Sequence, residues 1–451
     1  MSNKSITAIS TPPGVGAISC VRLSGENCIA IADKVFRGKQ TLKSLSGYTA
    51  TPGKIEDNGD MIDQVVALVY RAPNSFTGEN MVEIFCHGSP VVAEKILRLL
   101  CKNGAEIAAP GEFTKRAFLS GKIDLTGAAG VADMIAAEND LAVKNAAALL
   151  DGAAFKEISE IAESLTALLA QLDASIDYSD DEELSALTLP QADLDKTANR
   201  LKTLLESYDI GKLVTSGVTT TIAGKPNVGK STVMNLLLGE SRSIVTDVAG
   251  TTRDVISDTL RLKNCTLLLS DTAGIRKTDD LVESIGIDRA KKSIENAELV
   301  LLVLDASRPL DKDDFALLEL TKDKTTLIIT NKIDIKSTNF SEFHHSFGTK
   351  EFSTVEISAN DKSYGPHLAE KIEQTLNLNK AANYDFMLSS ERQRSLVARA
   401  YESLKNIDTN NTADLIAADI DTALSALLEL TGKRVSETVI NEIFSKFCVG
   451  K

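Results

Sequence analysis

Apolar and polar positions alternate along Ile6-Thr7-Ala8-Ile9-Ser10, and the period of two predicts a strand. Thr11-Pro12-Pro13-Gly14-Val15-Gly16 then turns the chain, and Ala17 to Leu23 is strand again. Val65 to Tyr70 and Met81 to Cys86 read as further strands around a Pro73–Gly78 loop. From Pro90 to Leu100 the apolar positions Val92, Ile96, Leu99 and Leu100 fall at helical spacing. Pro110-Gly111-Glu112-Phe113-Thr114 opens another helix. Residues 1–120 are therefore expected to form an α+β domain. Past 121 the strand-like runs stop and alanine-rich helical patterns begin. Ile158, Ile161, Leu165, Leu168 and Leu172 share one helical face. The acidic run Asp177 to Glu183 reads as a solvated loop, and a helix follows from Gln191 to Tyr208. From 216 to 376 strand and helix alternate, as in a mostly parallel doubly wound sheet. The pattern is then helical again, with a stripe of Ile416, Ile420, Leu424, Leu427 and Leu428. The simplest organisation is an all-α domain in two halves, 121–215 and 377–451, with an α/β domain of 216–376 inserted between them.

Composition narrows the classes. The 451 residues are 43% hydrophobic and 25% charged, enough for two or three ordinary globular domains. No run of about 18 apolar residues exists and no basic-then-apolar leader begins the chain, so a cytoplasmic protein without a membrane span is expected. Six scattered cysteines without C-x-x-C spacing read as free thiols of a reducing compartment. Four histidines without an H-E-x-x-H pattern give no zinc site. The net charge of −14 argues against a broad basic nucleic-acid face, although residues 1–120 hold 13 Lys and Arg against 11 Asp and Glu.

The chemistry concentrates in the inserted domain. Gly224-Lys225-Pro226-Asn227-Val228-Gly229-Lys230-Ser231 spells G-x-x-x-x-G-K-S between a β-branched strand, Val218 to Ala223, and a helix beginning at Thr232. In that context backbone N–H groups and the helix dipole cradle phosphates. Lys230 reaches the β- and γ-phosphates and Ser231 the Mg²⁺. Asn227, Val228, Gly229 and Thr232 complete the phosphate side. The Gly14-Val15-Gly16 turn lacks the third glycine and the helix of a dinucleotide site. Next comes Thr246-Asp247-Val248-Ala249-Gly250-Thr251-Thr252, with Thr252 as the switch threonine closing on Mg²⁺ and the γ-phosphate. Asp271-Thr272-Ala273-Gly274 follows a strand at Cys265 to Leu269 and reads D-x-x-G. Two more apolar strands, Leu299 to Leu304 and Thr325 to Thr330, precede Asn331-Lys332-Ile333-Asp334. N-K-x-D selects guanine, because the Asp334 carboxylate accepts from the base N1–H and the exocyclic amine, a pattern adenine lacks. Ser358-Ala359-Asn360 forms the closing loop under the base. These motifs in this order specify GTP.

The catalytic details differ from Ras-like enzymes, where a Gln after D-x-x-G orients the attacking water. Ile275 occupies that place and cannot do so. The side chain of Asn227, with backbone carbonyls of the Thr246–Thr251 segment, could hold a monovalent cation against the phosphates. A carboxylate downstream could orient water, and on chemistry alone Glu283, Asp279 and Asp280 compete.

Taken together, G-K-P-N-V-G-K-S, G-T-T-R-D, D-T-A-G-I-R and N-K-I-D inside a helical frame, the opening A-I-S-T-P-P-G-V-G-A-I-S-C-V-R-L-S-G, P-N-S-F-T-G-E, P-G-E-F-T-K-R-A-F-L and the closing F-C-V-G-K resemble the MnmE (TrmE) tRNA modification GTPases of the TrmE-Era-like group, over essentially the whole chain. The resemblance implies a potassium-activated GTP hydrolase that forms a homodimer. It implies a complex, heterotetramer or larger, with the flavoprotein MnmG (GidA), whose FAD sits on the partner. Together the two add a carboxymethylaminomethyl or aminomethyl group to C5 of the wobble uridine of certain tRNAs. The one-carbon donor implied is a tetrahydrofolate derivative, 5,10-methylene or 5-formyl, bound by the N-terminal domain. By matched position, folate falls to Arg22, Glu83, Lys122 and Lys451, Mg²⁺ to Ser231 and Thr252, and K⁺ to Asn227, Thr246, Val248 and Thr251. The water-orienting role falls to Glu283. Cys448 is a candidate for the modification chemistry. Two other readings use the same motifs: a GTP-switched ribosome or RNA assembly factor, and a folate enzyme regulated by GTP. The acidic helical frame, in place of a small basic RNA-binding fold, disfavours the assembly factor.

Overall fold

The structure, a computed structural model, describes residues 4–177, 191–240, 258–270, 291–336, 352–408 and 411–450. Two compact units emerge from the chain's own contacts. One comprises Met1–Ala132, Phe155–Glu163 and Leu424–Lys451. The other comprises Asp133–Ala154 and Ser164–Ala423. Residues 178–183 of the acidic run lie outside the described residues.

The first unit is built on a seven-stranded sheet of order β3-β4-β5-β6-β2-β1-β7. Its strands are β1 (Ile6–Ile9), β2 (Ile18–Ser24), β3 (Phe36–Gly38), β4 (Thr49–Asp57), β5 (Asp60–Tyr70), β6 (Met81–His87) and β7 (Glu106–Ile107). The four strands expected from alternation are present, and β5 begins five residues before Val65. The pairings are antiparallel except β1 with β7. Helices Cys28–Val35 and Pro90–Lys102 cover one face. Pro90 stands in the first turn, where its missing N–H costs nothing. Ala93, Ile96, Leu99 and Leu100 are buried on that helix, and Cys28, Ile29, Ile31, Ala32 and Val35 on the other. Each large apolar side chain so buried stabilises by roughly 1.5–3 kcal/mol against its exposed state.

The C-terminal tail is part of this unit. Helix Glu437–Ser445 buries Ile440 and Phe444. Phe444 packs at 5.2 Å on Phe447 and 6.1 Å on Phe118, centroid to centroid. Two glycines permit the close approach. A Cβ on Gly111 would lie 2.5 Å from the Phe444 carbonyl oxygen, and one on Gly450 would lie 2.5 Å from that of Ile9. Both glycines hold positive φ, 64° and 93°. The Gly111 N–H donates to the Cys448 carbonyl at 3.2 Å.

The second unit holds a six-stranded sheet of order β13-β12-β11-β8-β10-β9. The strands are β8 (Val218–Ala223), β9 (Asp258–Arg261), β10 (Thr266–Leu269), β11 (Leu299–Asp305), β12 (Thr325–Asn331) and β13 (Ser353–Glu356). All pairings are parallel except the β9–β10 hairpin. Every residue of β11, and all of β12 after Thr325, is buried. Continuous apolar strands are what a parallel sheet covered on both faces requires. The chain leaves β8 toward β10 on one side and returns to β11 on the other. The crevice beyond the carboxyl ends of β8 and β11 is therefore the topological switch point, where such sheets bind ligands.

Helices Gln191–Ser216 and Glu391–Lys405 belong to the same unit. The first runs eight residues beyond the expected end at Tyr208, and Ile210 and Val214 are buried in that extension. Asn145 is buried and exchanges two hydrogen bonds with the Met387 backbone, at 3.2 and 2.7 Å. The tip of the β9–β10 hairpin is tied down on two sides. The Asp140 N–H donates to the Lys263 carbonyl at 2.9 Å, and Asn264 gives both its backbone and side-chain N–H groups to Glu373, at 2.9 and 2.7 Å. All six cysteines are free, as expected. Burial pushes the thiols of Cys28 and Cys265 up to about 12, which keeps them protonated. Among the described residues no helix is long and apolar enough to cross a membrane, and no cluster of His, Cys, Asp or Glu suits a metal ion.

Candidate nucleotide and folate sites

The phosphate loop leaves the end of β8 and enters helix Lys230–Glu240. Its shape follows from two backbone positions. Asn227 holds a left-handed φ of 63°, which Asn tolerates better than most residues, and Gly229 a φ of 100°. A Cβ on Gly229 would lie 2.2 Å from the Asn331 side-chain nitrogen, so the loop closes on N-K-x-D only because this residue is glycine. Lys230 folds back over the loop, donating to the carbonyls of Gly224 at 2.8 Å and Lys225 at 2.7 Å. Burial lowers its ammonium pKa, so an anion in the loop gains a poorly hydrated cation as partner.

Asn331 ends β12 and is 3% exposed, which leaves its amide no water to bond. Its Nδ2 donates to the Val228 carbonyl at 2.9 Å, and its Oδ1 accepts from the Ala359 N–H at 2.9 Å. One side chain thus joins the phosphate loop to the Ser358-Ala359-Asn360 loop. Lys332, at a left-handed φ of 65°, sends its Nζ to the Asn227 carbonyl at 2.8 Å. Consecutive carbonyls of the phosphate loop are therefore held by consecutive residues of N-K-x-D. Asp334 is exposed on the short helix Ile333–Ile335, with its carboxylate available to a base. The structure thus brings together Asn227, Val228, Gly229, Lys230, Ser231, Thr232, Asn331, Lys332, Asp334, Ser358, Ala359 and Asn360 from three separate segments. The Thr246–Thr252 and Asp271–Gly274 segments, Ile275, Asp279, Asp280 and Glu283 lie outside the described residues.

Sequence reasoning passed over two parts of this site. Asp305, at the end of β11, accepts from Lys332 Nζ at 2.6 Å. Lys225, inside the loop, pairs with Asp311 and Asp313. Asp311 in turn pairs with Arg308, which also holds the fully buried Asp314 at 2.9 Å. The available signal was Asp305-Ala306-Ser307 directly after an apolar strand, the pattern of a carboxylate bonding its own backbone two residues on.

In the first unit Arg22 and Glu83 face one another across β2 and β6. Arg22 gives its Nε at 2.8 Å and its Nη2 at 2.7 Å to Glu83 Oε1, while Tyr70 donates to Oε2 at 2.8 Å. Burial and the bond to Glu83 push the Tyr70 phenol well above its usual range. Arg22 Nη1 donates to the Gly450 carbonyl at 3.3 Å, so the pair sits beside the residue before Lys451. The Arg22 guanidinium also lies 5.7 Å from the ring centre of Phe113 and 5.9 Å from that of Phe76. Arg22 and Glu83 are thus brought together as each other's partner, with Oε2 of Glu83 keeping one acceptor direction for a further donor. Lys122 is exposed, its stem beside Gly78. Cys448 is exposed and Lys451 lies outside the described residues. A cavity of about 500 Å³ in this unit is lined by Glu79, Glu112, Lys115, Arg116, Asn441 and Phe444, among others, and by none of Arg22, Glu83 or Lys122.

Comparison with known proteins places this geometry. Residues 5–122 match the family model for the GTP-binding protein TrmE N-terminus, and residues 125–448 match that for the MnmE helical domain. The chain is 42% identical over 457 residues to the tRNA modification GTPase MnmE of Lactococcus lactis subsp. cremoris strain MG1363, covering 99% of this chain and 98% of the relative. It is 40% identical over 464 residues to the MnmE of Carboxydothermus hydrogenoformans, covering both chains completely. With the MnmE of Thermotoga petrophila it shares 40% identity over 452 residues and 99% of each chain. Matched along its whole length by such relatives, and carrying a phosphate loop joined to N-K-x-D, the chain belongs to the MnmE (TrmE) family of tRNA modification GTPases.

Proposed function

We propose that the chain hydrolyses GTP in a G domain spanning 216–376, and that hydrolysis serves modification at C5 of the wobble uridine of certain tRNAs. In this reading it works as a homodimer in the cytoplasm with the flavoprotein MnmG, using a tetrahydrofolate one-carbon donor. The observation that carries the GTP half is the Asn331 bridge between the Val228 carbonyl and the Ala359 N–H, which assembles the phosphate and guanine loops into one site. Full-length similarity to the curated relatives supports the tRNA half.

Within the site Lys230 neutralises phosphate charge and Asp334 selects the base. Ser231 and Thr252 are the oxygen donors for Mg²⁺. Asn227, exposed at the mouth of the loop, is the side-chain donor for K⁺, with Thr246, Val248 and Thr251 completing the set. These ions supply positive charge where the transition state spreads negative charge over the phosphoryl oxygens. Glu283 positions the attacking water. Arg22, Glu83, Lys122 and Lys451 hold the folate, and Cys448 stands at the same end of the tail as a candidate for the modification step.

Nucleoside analysis of tRNA from a strain lacking this chain tests the reading: the C5 substituent of the wobble uridine is expected to be missing. Unchanged wobble uridines would overturn it in favour of an assembly role. The cation assignment has its own test. GTP turnover is expected to rise at least tenfold in K⁺ over Na⁺ at equal ionic strength, a difference of about 1.4 kcal/mol in the barrier. Equal rates in the two salts would remove Asn227 from cation binding.

A further inference from the structure

The end of β11 carries a buried carboxylate outside every GTPase motif. Asp305 is 6% exposed, and parallel register sets it directly beside Asn331. Its two oxygens are divided between two tasks. Oδ2 accepts from Lys332 Nζ at 2.6 Å, while Oδ1 accepts from the Ser307 N–H at 2.9 Å and the Ser307 hydroxyl at 2.6 Å. Burial works against the charged form, and the bonds from Lys332 and Ser307 outweigh it, holding the carboxyl below its usual range. The same Lys332 Nζ donates at 2.8 Å to the carbonyl of Asn227, the residue whose left-handed backbone shapes the phosphate loop.

We propose that Asp305 is a positioning residue: anchored by Ser307, it holds the Lys332 ammonium on the Asn227 carbonyl, and through that contact sets both GTP affinity and the cation requirement of the phosphate loop. Lysine is a flexible, strongly hydrated side chain, and a single backbone carbonyl does not fix it. The carboxylate removes that freedom and supplies the charge-assisted bond. Because Asn227 offers its side chain at the mouth of the loop and its carbonyl to Lys332, a shift at the carbonyl moves the side chain as well. The inference rests on the reading of Asn227 and Lys332 as nucleotide-site residues.

Asp305→Asn tests it with almost no change of shape. An amide has one acceptor oxygen, so it must abandon either Lys332 or Ser307. GTP dissociation constants for wild type, Asp305→Asn, Lys332→Ala and the double variant, measured with a fluorescent guanine nucleotide on the full chain, form a double-mutant cycle. The expected result is about a tenfold weaker Kd for Asp305→Asn in the wild-type background and no further loss once Lys332 is alanine. Half-activation of turnover by K⁺ is expected at a higher concentration in Asp305→Asn at saturating GTP. Equal losses in both backgrounds, or unchanged Kd and K⁺ response, would overturn the proposal. If Asp305→Asn does not fold, Ser307→Ala loosens the same carboxylate and carries the same cycle. Wild-type turnover that ignores K⁺ removes only the cation reading of Asn227, and the affinity cycle still decides Asp305.

Discussion

Asp334→Asn is expected to cost GTP on the order of 10³-fold in affinity, one charge-assisted hydrogen bond being replaced by opposed donors and the other reduced to a neutral bond, and to improve binding of xanthosine triphosphate. The carboxylate of Asp334 is the one group of N-K-x-D that offers two acceptors to the base edge. Guanine presents two donors there, N1–H and the exocyclic amine. An asparagine keeps one acceptor and turns an N–H₂ against the amine, so one bond is lost and two donors are opposed. Xanthine carries a carbonyl in place of that amine, which accepts from the asparagine N–H₂ while its N1–H donates to the asparagine oxygen. Asp334 is exposed, and the short helix carrying it buries no side chain, so the substitution leaves the core untouched. Competition of the two triphosphates against a labelled guanine nucleotide gives the ratio directly. A variant that still prefers GTP as strongly as wild type would contradict the assignment of Asp334 to the base.

The second large effect is on turnover. Glu283→Ala is expected to lower GTP hydrolysis by about 10²–10⁴-fold, the usual contribution of a positioned acid–base group. GTP affinity is expected to stay within about threefold of wild type, because the role proposed for Glu283 is on the attacking water and not on the bound nucleotide. The place just after D-x-x-G holds Ile275, an apolar side chain with no hydrogen bond to give. Glu283→Gln, which keeps an acceptor but loses the charge, is expected to fall between wild type and alanine. Single-turnover hydrolysis and nucleotide affinity, measured side by side, separate the alternatives. Loss of binding would make Glu283 structural, and a larger turnover defect in Asp279→Ala or Asp280→Ala would transfer the role to that carboxylate.

The elements that were legible in the sequence are those whose environment is uniform. β11 and β12 are apolar throughout because both faces are covered, and a run of that kind cannot be missed. The phosphate loop and N-K-x-D were legible for a related reason, since each carries its chemistry within a few consecutive residues. β4 escaped the reading because Pro52 and Gly53 interrupt it, and its first six positions, Thr49 to Lys54, alternate between partly covered and exposed rather than buried and polar. The hairpin strand β9 has a single buried leucine in four residues, too little for periodicity to register. The Arg22–Glu83 pair lay beyond the sequence for a different reason. Its two residues are 61 apart and meet only through strand register, so each read as a separate ligand group instead of the other's counter-ion. Asp305 is the same case in a parallel sheet, where register with Asn331 places a strand-end carboxylate within reach of the next strand's lysine. The glycines where the tail docks reverse the pattern. Gly111 and Gly450 stood out within family-specific sequence, and the structure supplies their cause, two backbones approaching too closely for a Cβ.

These observations give the chain two chemical centres, a guanine nucleotide site at the switch point of the second sheet and a charged cluster of Arg22, Glu83 and the tail in the first unit. The most direct measurement of their joint purpose is a reconstituted reaction with the full chain, the flavoprotein proposed as its partner, unmodified tRNA, methylene-tetrahydrofolate, an amine donor and GTP, run in K⁺ and in Na⁺. The expected result is a C5-modified wobble uridine in K⁺, formed with GTP hydrolysis, and little in Na⁺. GTP hydrolysis without any modified uridine under these conditions would contradict the account.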